Sequence, residues 1–68
     1  MLQYEFKSKD TIFKKGDKVK TLDFWIFTHS VVGGDIGIIK YFQDGNALIQ
    51  KDNGLCTFWD ARHLELIH

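Results

Sequence analysis

The thiol and imidazole groups, whose ordinary pKa values lie nearest neutral pH, are few in this sequence. They are Cys56, His29, His63 and the terminal His68. A cysteine nucleophile needs a base within hydrogen-bond reach and surroundings that favour its thiolate. Cys56 sits instead between Leu55 and Thr57 in an apolar run, the pattern of a small buried hydrophobe. His29 and His63 lie far apart in the chain, and none of these residues shows metal-ligand spacing. No catalytic residue, no cofactor and no metal is therefore expected. One cysteine also excludes an internal disulfide, so packing must stabilise the fold.

Glycine-rich phosphate sites are excluded on similar grounds. Gly34-Asp35-Ile36-Gly37 has the letters of an RNA-clamping Gly-x-x-Gly loop, but that loop needs flanking helices and a strand-like run follows here. No Gly-Lys-Ser/Thr opens a helix, as a P-loop requires.

The chemistry that remains is recognition by rings and by charge. Ten aromatic residues occur in 68, and each can bury ~150–250 Å². A domain this small cannot enclose them all, and an exposed aromatic cluster marks an interface. The densest run, Phe24-Trp25-Ile26-Phe27, places Phe24 and Ile26 on one side of an extended segment and Trp25 and Phe27 on the other. Phe24, Trp25 and Phe27 are thus candidate partner-binding residues. Phe58 and Trp59 are adjacent on a strand-like run, so one faces in and one faces out. Phe58 is assigned to the core and Trp59 to the surface, where with Tyr41 or Phe42 it would floor a site for a peptide or for stacked bases.

Charge gives the second candidate. Lys7, Lys9, Lys14, Lys15, Lys18 and Lys20 supply six of nine cations within the first 20 residues. Lys14, Lys15, Lys18 and Lys20 form a stripe that would follow phosphates, with nearby rings to stack bases. Nine acids balance the nine cations overall, which argues against a general nucleic-acid coat protein. Lysines on an edge strand also serve to block pairing with another chain.

The elements that must position these residues are short strands. Hydrophobic residues make up 44% and charged residues 26% of the chain, with no proline, the composition of one globular domain. No apolar run approaches the ~20 residues that span a bilayer, so a cytoplasmic protein without membrane contact is expected. Leu2, Tyr4 and Phe6 alternate with polar residues as a strand would. Strands are predicted over 18–22, 35–42, 47–51, 55–59 and 64–67, with a bulge or a close backbone approach at Gly37. Asp44-Gly45-Asn46 and Asp52-Asn53-Gly54 mark tight hairpin turns. Asp60-Ala61-Arg62-His63 reads as a single 3-10 turn capped by Asp60. Residues 23–34 read as a long irregular loop, and loops of that length are commonly functional.

Five strands, a long first loop, two tight hairpins and a single-turn helix before the last strand form the order of a small SH3-like barrel. Gly34-Asp35-Ile36-Gly37-Ile38-Ile39 resembles the core element of KOW-type SH3-like domains. The spacing from Gly16-Asp17-Lys18-Val19 to Asp52-Asn53-Gly54 is similar to that of Mind bomb-type SH3-like domains, with Asp23-Phe24-Trp25-Ile26-Phe27 standing where they carry an aspartate–tryptophan–x–tryptophan stretch. The aspartate is displaced by one, phenylalanine replaces the second tryptophan, and Lys51 replaces a further tryptophan usual before the later turn. The resemblance covers residues 13–67 and leaves 1–12 as an N-terminal extension, an added strand in this reading. It implies an all-β fold, a five-stranded SH3-like barrel, and a non-enzymatic binding module. Mind bomb-type domains imply a protein or peptide partner, and the chain would then act as adaptor or inhibitor. KOW-type domains imply a nucleic acid as the alternative. A second copy of the chain, bound through the same aromatics, is the third partner considered.

Overall fold

Alternating side chains and glycine-bearing turns dominate the sequence, and both resolve into strands. A computed structural model describes residues 2–67, and over them the chain is all β with no helix. The nine strands are β1 (Glu5–Ser8), β2 (Thr11–Lys14), β3 (Lys18–Thr21), β4 (Phe24–Ile26), β5 (His29–Val31), β6 (Ile36–Gln43), β7 (Asn46–Lys51), β8 (Cys56–Asp60) and β9 (Leu64–Leu66). The main sheet is antiparallel in the order β8-β7-β6-β3-β9, while β1-β2 and β4-β5 form separate two-stranded sheets.

The segments read as five strands make up the main sheet, but nine strands replace the expected five. The sheets also do not close into a barrel: β8 and β9 remain as edges. The extra strands come from two hairpins. One of them, β4-β5, occupies the segment expected to be an irregular loop, because Phe24-Trp25-Ile26 and His29-Ser30-Val31 are ring-bearing, β-branched or small enough to pair across a turn.

One face of the main sheet builds the core. Val19 and Thr21 of β3, Gly37, Ile39 and Phe42 of β6, and Ala47 and Ile49 of β7 point inward and are buried. The phase changes within β6, where the register skips Lys40 between Ile39 and Tyr41. This bulge turns Phe42 inward in place of Tyr41, as an extra residue on one strand must. Phe42 is the largest fully buried side chain.

The β1-β2 hairpin lays Phe6 and Phe13 against this face. The Phe6 ring stacks on Phe42 at 5.7 Å, and Gln3 exchanges two backbone hydrogen bonds with Phe42, at 2.9 and 2.7 Å. The first dozen residues therefore complete the core and extend the pairing of β6. The boundary expected after residue 12 falls inside β2.

Turn chemistry follows the sequence closely in one place and departs from it in another. Asp44 and Gly45 have φ of 53° and 79°, the paired positive values of a type I′ turn joining β6 to β7. The segment after β8 is a single hydrogen-bonded turn, His63 N–H to Asp60 C=O at 3.0 Å, and not a helical turn. Asp60 still caps it: its carboxylate accepts from the Arg62 backbone N–H at 2.9 Å, and from Nε and Nη2 at 3.2 and 3.0 Å. The Arg62 side-chain hydrogen bonds hold the Asp60 carboxyl below the usual carboxylate range.

Gly37 confirms a close backbone approach. A Cβ there would lie 2.5 Å from the Gln50 carbonyl oxygen and 2.6 Å from Ile49 Cγ2, too near for either to yield cheaply. Gly37→Ala is expected to destabilise the fold by about 1–3 kcal/mol, read as a lower urea midpoint. A pH titration checks the cap. Because the folded pKa of Asp60 is depressed, its contribution is present above the ordinary carboxylate pKa of about 4 and is lost as pH falls through the folded value. The stability gap between wild type and Arg62→Ala should accordingly close on acidification from neutral pH, and a gap that persists unchanged in acid contradicts the assignment.

Candidate functional site

Strand β4 begins beside a buried polar group. Thr21 is the only fully buried polar residue among those described, and burying a hydroxyl is tolerable only with its hydrogen bonds made. Its Oγ1 accepts from the Gly34 and Asp35 backbone N–H groups at 3.1 and 3.0 Å, and donates to the Asp35 carbonyl at 3.3 Å. The two ends of the 22–35 segment are thereby held to one side chain. Asp23 adds a second tie, its Oδ1 accepting from Gly33 N–H at 2.6 Å.

Rings complete the base of the hairpin. Phe24 stacks on His63 with centroids 4.8 Å apart and planes 4° from parallel, and meets Trp59 edge-on at 5.4 Å. The Trp59 indole N–H donates to the Leu22 carbonyl at 3.1 Å. Trp59, expected on the surface, is half-buried against the core, and Phe58, expected in the core, is 50% exposed. Period-two spacing did not distinguish them, because Leu55, Thr57 and Trp59 on one side are as apolar as Cys56 and Phe58 on the other. Cys56 is exposed too, where a buried cysteine was expected.

Beyond this base the hairpin projects apolar side chains into water. Trp25 is 70% exposed, and Phe27, at the turn, is 95% exposed. Ile26 and Val32 are exposed as well. Trp25 pairs with Ser30, and Phe24 with Val31, so alternation puts Trp25, Ser30 and Val32 on the face opposite the Phe24 anchor.

Phe27 also has a φ of 54°. Two-residue hairpin turns demand a positive φ at their first central position, where glycine is the preferred residue. A bulky side chain there costs of order 1–3 kcal/mol, and this one gains no burial in return.

The remaining candidates separate. Tyr41 is half-buried on the outer face of the main sheet, 6.2 Å from Phe58, and Trp59 is on the inner face, so the two do not share a floor. Lys18 and Lys20 project from the outer face of β3, opposite Ile38 and Ile36. Lys14 lies on β2 opposite Glu5, and the Lys15 ammonium sits 5.3 Å over the Tyr4 ring. No group of three or more His, Cys, Asp or Glu among the described residues is placed to hold a metal ion. Among the described residues no helix is long and apolar enough to cross a membrane.

The Thr21 clamp carried no sequence signal beyond an inward parity shared with Val19. Its removal tests the anchoring. Thr21→Val leaves the Asp35 amide without its partner inside the protein, and is expected to cost about 1–3 kcal/mol. Amide exchange at Asp35 should accelerate more than at Ile39 or Ile49, while Gly34 keeps its 2.7 Å bond to the Thr21 carbonyl, and Thr21→Ser should restore most of the protection. Uniform acceleration across the sheet would contradict a local clamp.

No protein-family model matches the chain, and no curated protein and no solved structure matches it significantly.

Proposed function

We propose that this chain is a non-enzymatic docking module of SH3-like architecture that binds a protein or peptide partner through the tip of the β4-β5 hairpin. Support for the architecture is the strand order: β3, the first strand of the main sheet, pairs with both β6 and the last strand β9, and β6-β7-β8 follow as a meander. An occluding inhibitor or an adaptor both fit a module of this size.

The observation that carries the functional half is Phe27. It is almost wholly exposed and holds a positive φ that glycine would adopt without strain. Neither the core nor the turn benefits from a phenylalanine at this position, which supports a role for the ring outside the chain. Burying Phe27 and Trp25 against a partner would contribute about 1.5–3 kcal/mol each before ordering costs. The clamped base keeps those costs low, since the hairpin is presented already folded. A protein surface is the partner that such rings fit, because aromatic anchors dominate protein interfaces.

Lys18 and Lys20, standing beside Ile36 and Ile38 on the open sheet face, favour a nucleic acid as the second reading. Salt separates the two. Affinity from neutralised phosphates falls steeply as salt rises, and affinity from buried rings does not.

The test is affinity capture with the tagged full chain, followed by mass spectrometry and titration of the captured partner. Trp25→Ala and Phe27→Gly should each weaken the partner at least tenfold, with little dependence on salt, while Lys15→Glu with Lys18→Glu should leave it bound. Phe27→Gly should at the same time hold or raise the melting midpoint, since it removes the strained φ. A partner released by the lysine variant and by moderate salt, but retained by both hairpin variants, overturns the reading.

A further inference from the structure

The main sheet leaves one edge with both main-chain and side-chain capacity unused. Backbone bonds at the two ends of the β7-β8 ladder, Lys51 N–H to Leu55 C=O at 2.8 Å and Ala61 N–H to Gly45 C=O at 3.0 Å, fix its alternation. With the register Ile49↔Thr57, Leu48↔Phe58, Ala47↔Trp59, Thr57 and Trp59 are the residues that bond to β7. Cys56, Phe58 and Asp60 therefore direct their N–H and C=O groups to the free edge. No other strand packs along that edge. The Asp60 carbonyl is taken by His63, and the Phe58 carbonyl receives only a weak contact from its neighbour Thr57 Oγ1 at 3.4 Å.

Edge strands are normally protected by lysine, proline, a bulge or shortness. β9 is protected by its three residues. β8 has five, Cys-Thr-Phe-Trp-Asp, with no lysine, no proline and no register shift against β7. Of its outward side chains Cys56 and Phe58 are apolar and Asp60 is paired with Arg62, and Phe58 ends a row that runs Tyr41, Leu48, Phe58 across the outer face of the sheet.

We infer that β8 pairs antiparallel with β8 of a second copy, about a two-fold axis at Phe58. Self-pairing is favoured over a foreign strand by its fit. Phe58 faces the partner's Phe58 and Asp60 faces the partner's Cys56, so no like charges oppose. The apolar row doubles in length across the junction. Four intermolecular hydrogen bonds form: two between the Phe58 residues, and one from each Asp60 N–H to the opposing Cys56 carbonyl. The contact is separate from the hairpin tip, so its test is independent of the proposed function.

Sedimentation of the full chain in reductant, from about 10 μM to about 1 mM, should show a monomer–dimer equilibrium. Phe58→Lys, which opposes two ammonium groups on the axis, and Phe58→Pro, which removes no hydrogen bond of the monomer but both Phe58 N–H bonds across the axis, should each weaken association at least tenfold. Trp25→Ala and Phe27→Gly should leave it unchanged. Opposed residues of a bonded antiparallel pair have Cα atoms ~5.5 Å apart, within disulfide reach. Phe58→Cys combined with Cys56→Ser should therefore cross-link under a mild oxidant. The wild-type chain should not, because the register holds its two Cys56 Cα atoms about 14 Å apart. A chain that stays monomeric over the whole range overturns the inference. So does a dimer lost in the hairpin variants but kept in Phe58→Lys, or one captured through wild-type Cys56.

Discussion

The hydroxyl of Thr21 has no access to water and three hydrogen-bonding contacts inside the protein, and together with the Thr21 main chain it closes the base from which the exposed rings project. Backbone bonds from Thr21 N–H to the Asp35 carbonyl at 2.8 Å and from Gly34 N–H to the Thr21 carbonyl at 2.7 Å close the ends of the 22–35 segment, and the hydroxyl adds the Asp35 N–H to that closure. The clamp brings those ends together at the point where β3 hands over to the hairpin and the hairpin to β6. Trp59 then fixes the height of the hairpin through the Leu22 carbonyl, and His63 fixes the plane of Phe24. Each tie uses a group that the core has already immobilised, so the base of the hairpin inherits the rigidity of the sheet.

That rigidity explains how a small core tolerates exposed rings. Of the ten aromatic side chains, only Phe13 and Phe42 are buried outright. Phe6, Phe24 and Trp59 pack part of their surface against the core or the hairpin base, and Trp25, Phe27 and Phe58 are left to solvent. Tyr4 is exposed beneath the Lys15 ammonium, and the other exposed rings lie on two regions that the fold keeps apart. Trp25 and Phe27 stand on the hairpin, anchored from the inner side of β8 through Trp59, while Phe58 lies on its outer side. Consecutive residues of one strand thus serve opposite faces, and neither ring needs the other to be positioned.

What the sequence made legible follows from where local signals were unambiguous. The Asp44-Gly45 turn was readable because those residue types accept the positive φ that the turn requires. Gly37 was readable because a glycine inside a strand-like run needs a spatial reason. The β4-β5 hairpin was not, since its turn carries phenylalanine and threonine where Asn-Gly or Asp-Gly would have announced it. The assignment of Phe58 and Trp59 was inverted because both parities of β8 are equally apolar, and inward parity is set by pairing with β7, a tertiary fact. The bulge at Lys40 likewise shifts Tyr41 and Phe42 without any local residue that demands it.

The unread hairpin and the strained phenylalanine are the same observation seen from two levels. A sequence folds reliably when local preference and global structure agree, and the exceptions gather at sites kept for function. At Phe27 the local rule asks for glycine, the solvent asks for a polar group, and the chain supplies a large ring that satisfies neither. Asp44, at the corresponding position of the β6-β7 turn, meets both demands. Lys9, at the corresponding position of the β1-β2 turn, holds a positive φ of 53° without being glycine, so what sets Phe27 apart is its large ring left in water. It is the hairpin with the exposed ring that is tied to the sheet by a buried hydroxyl.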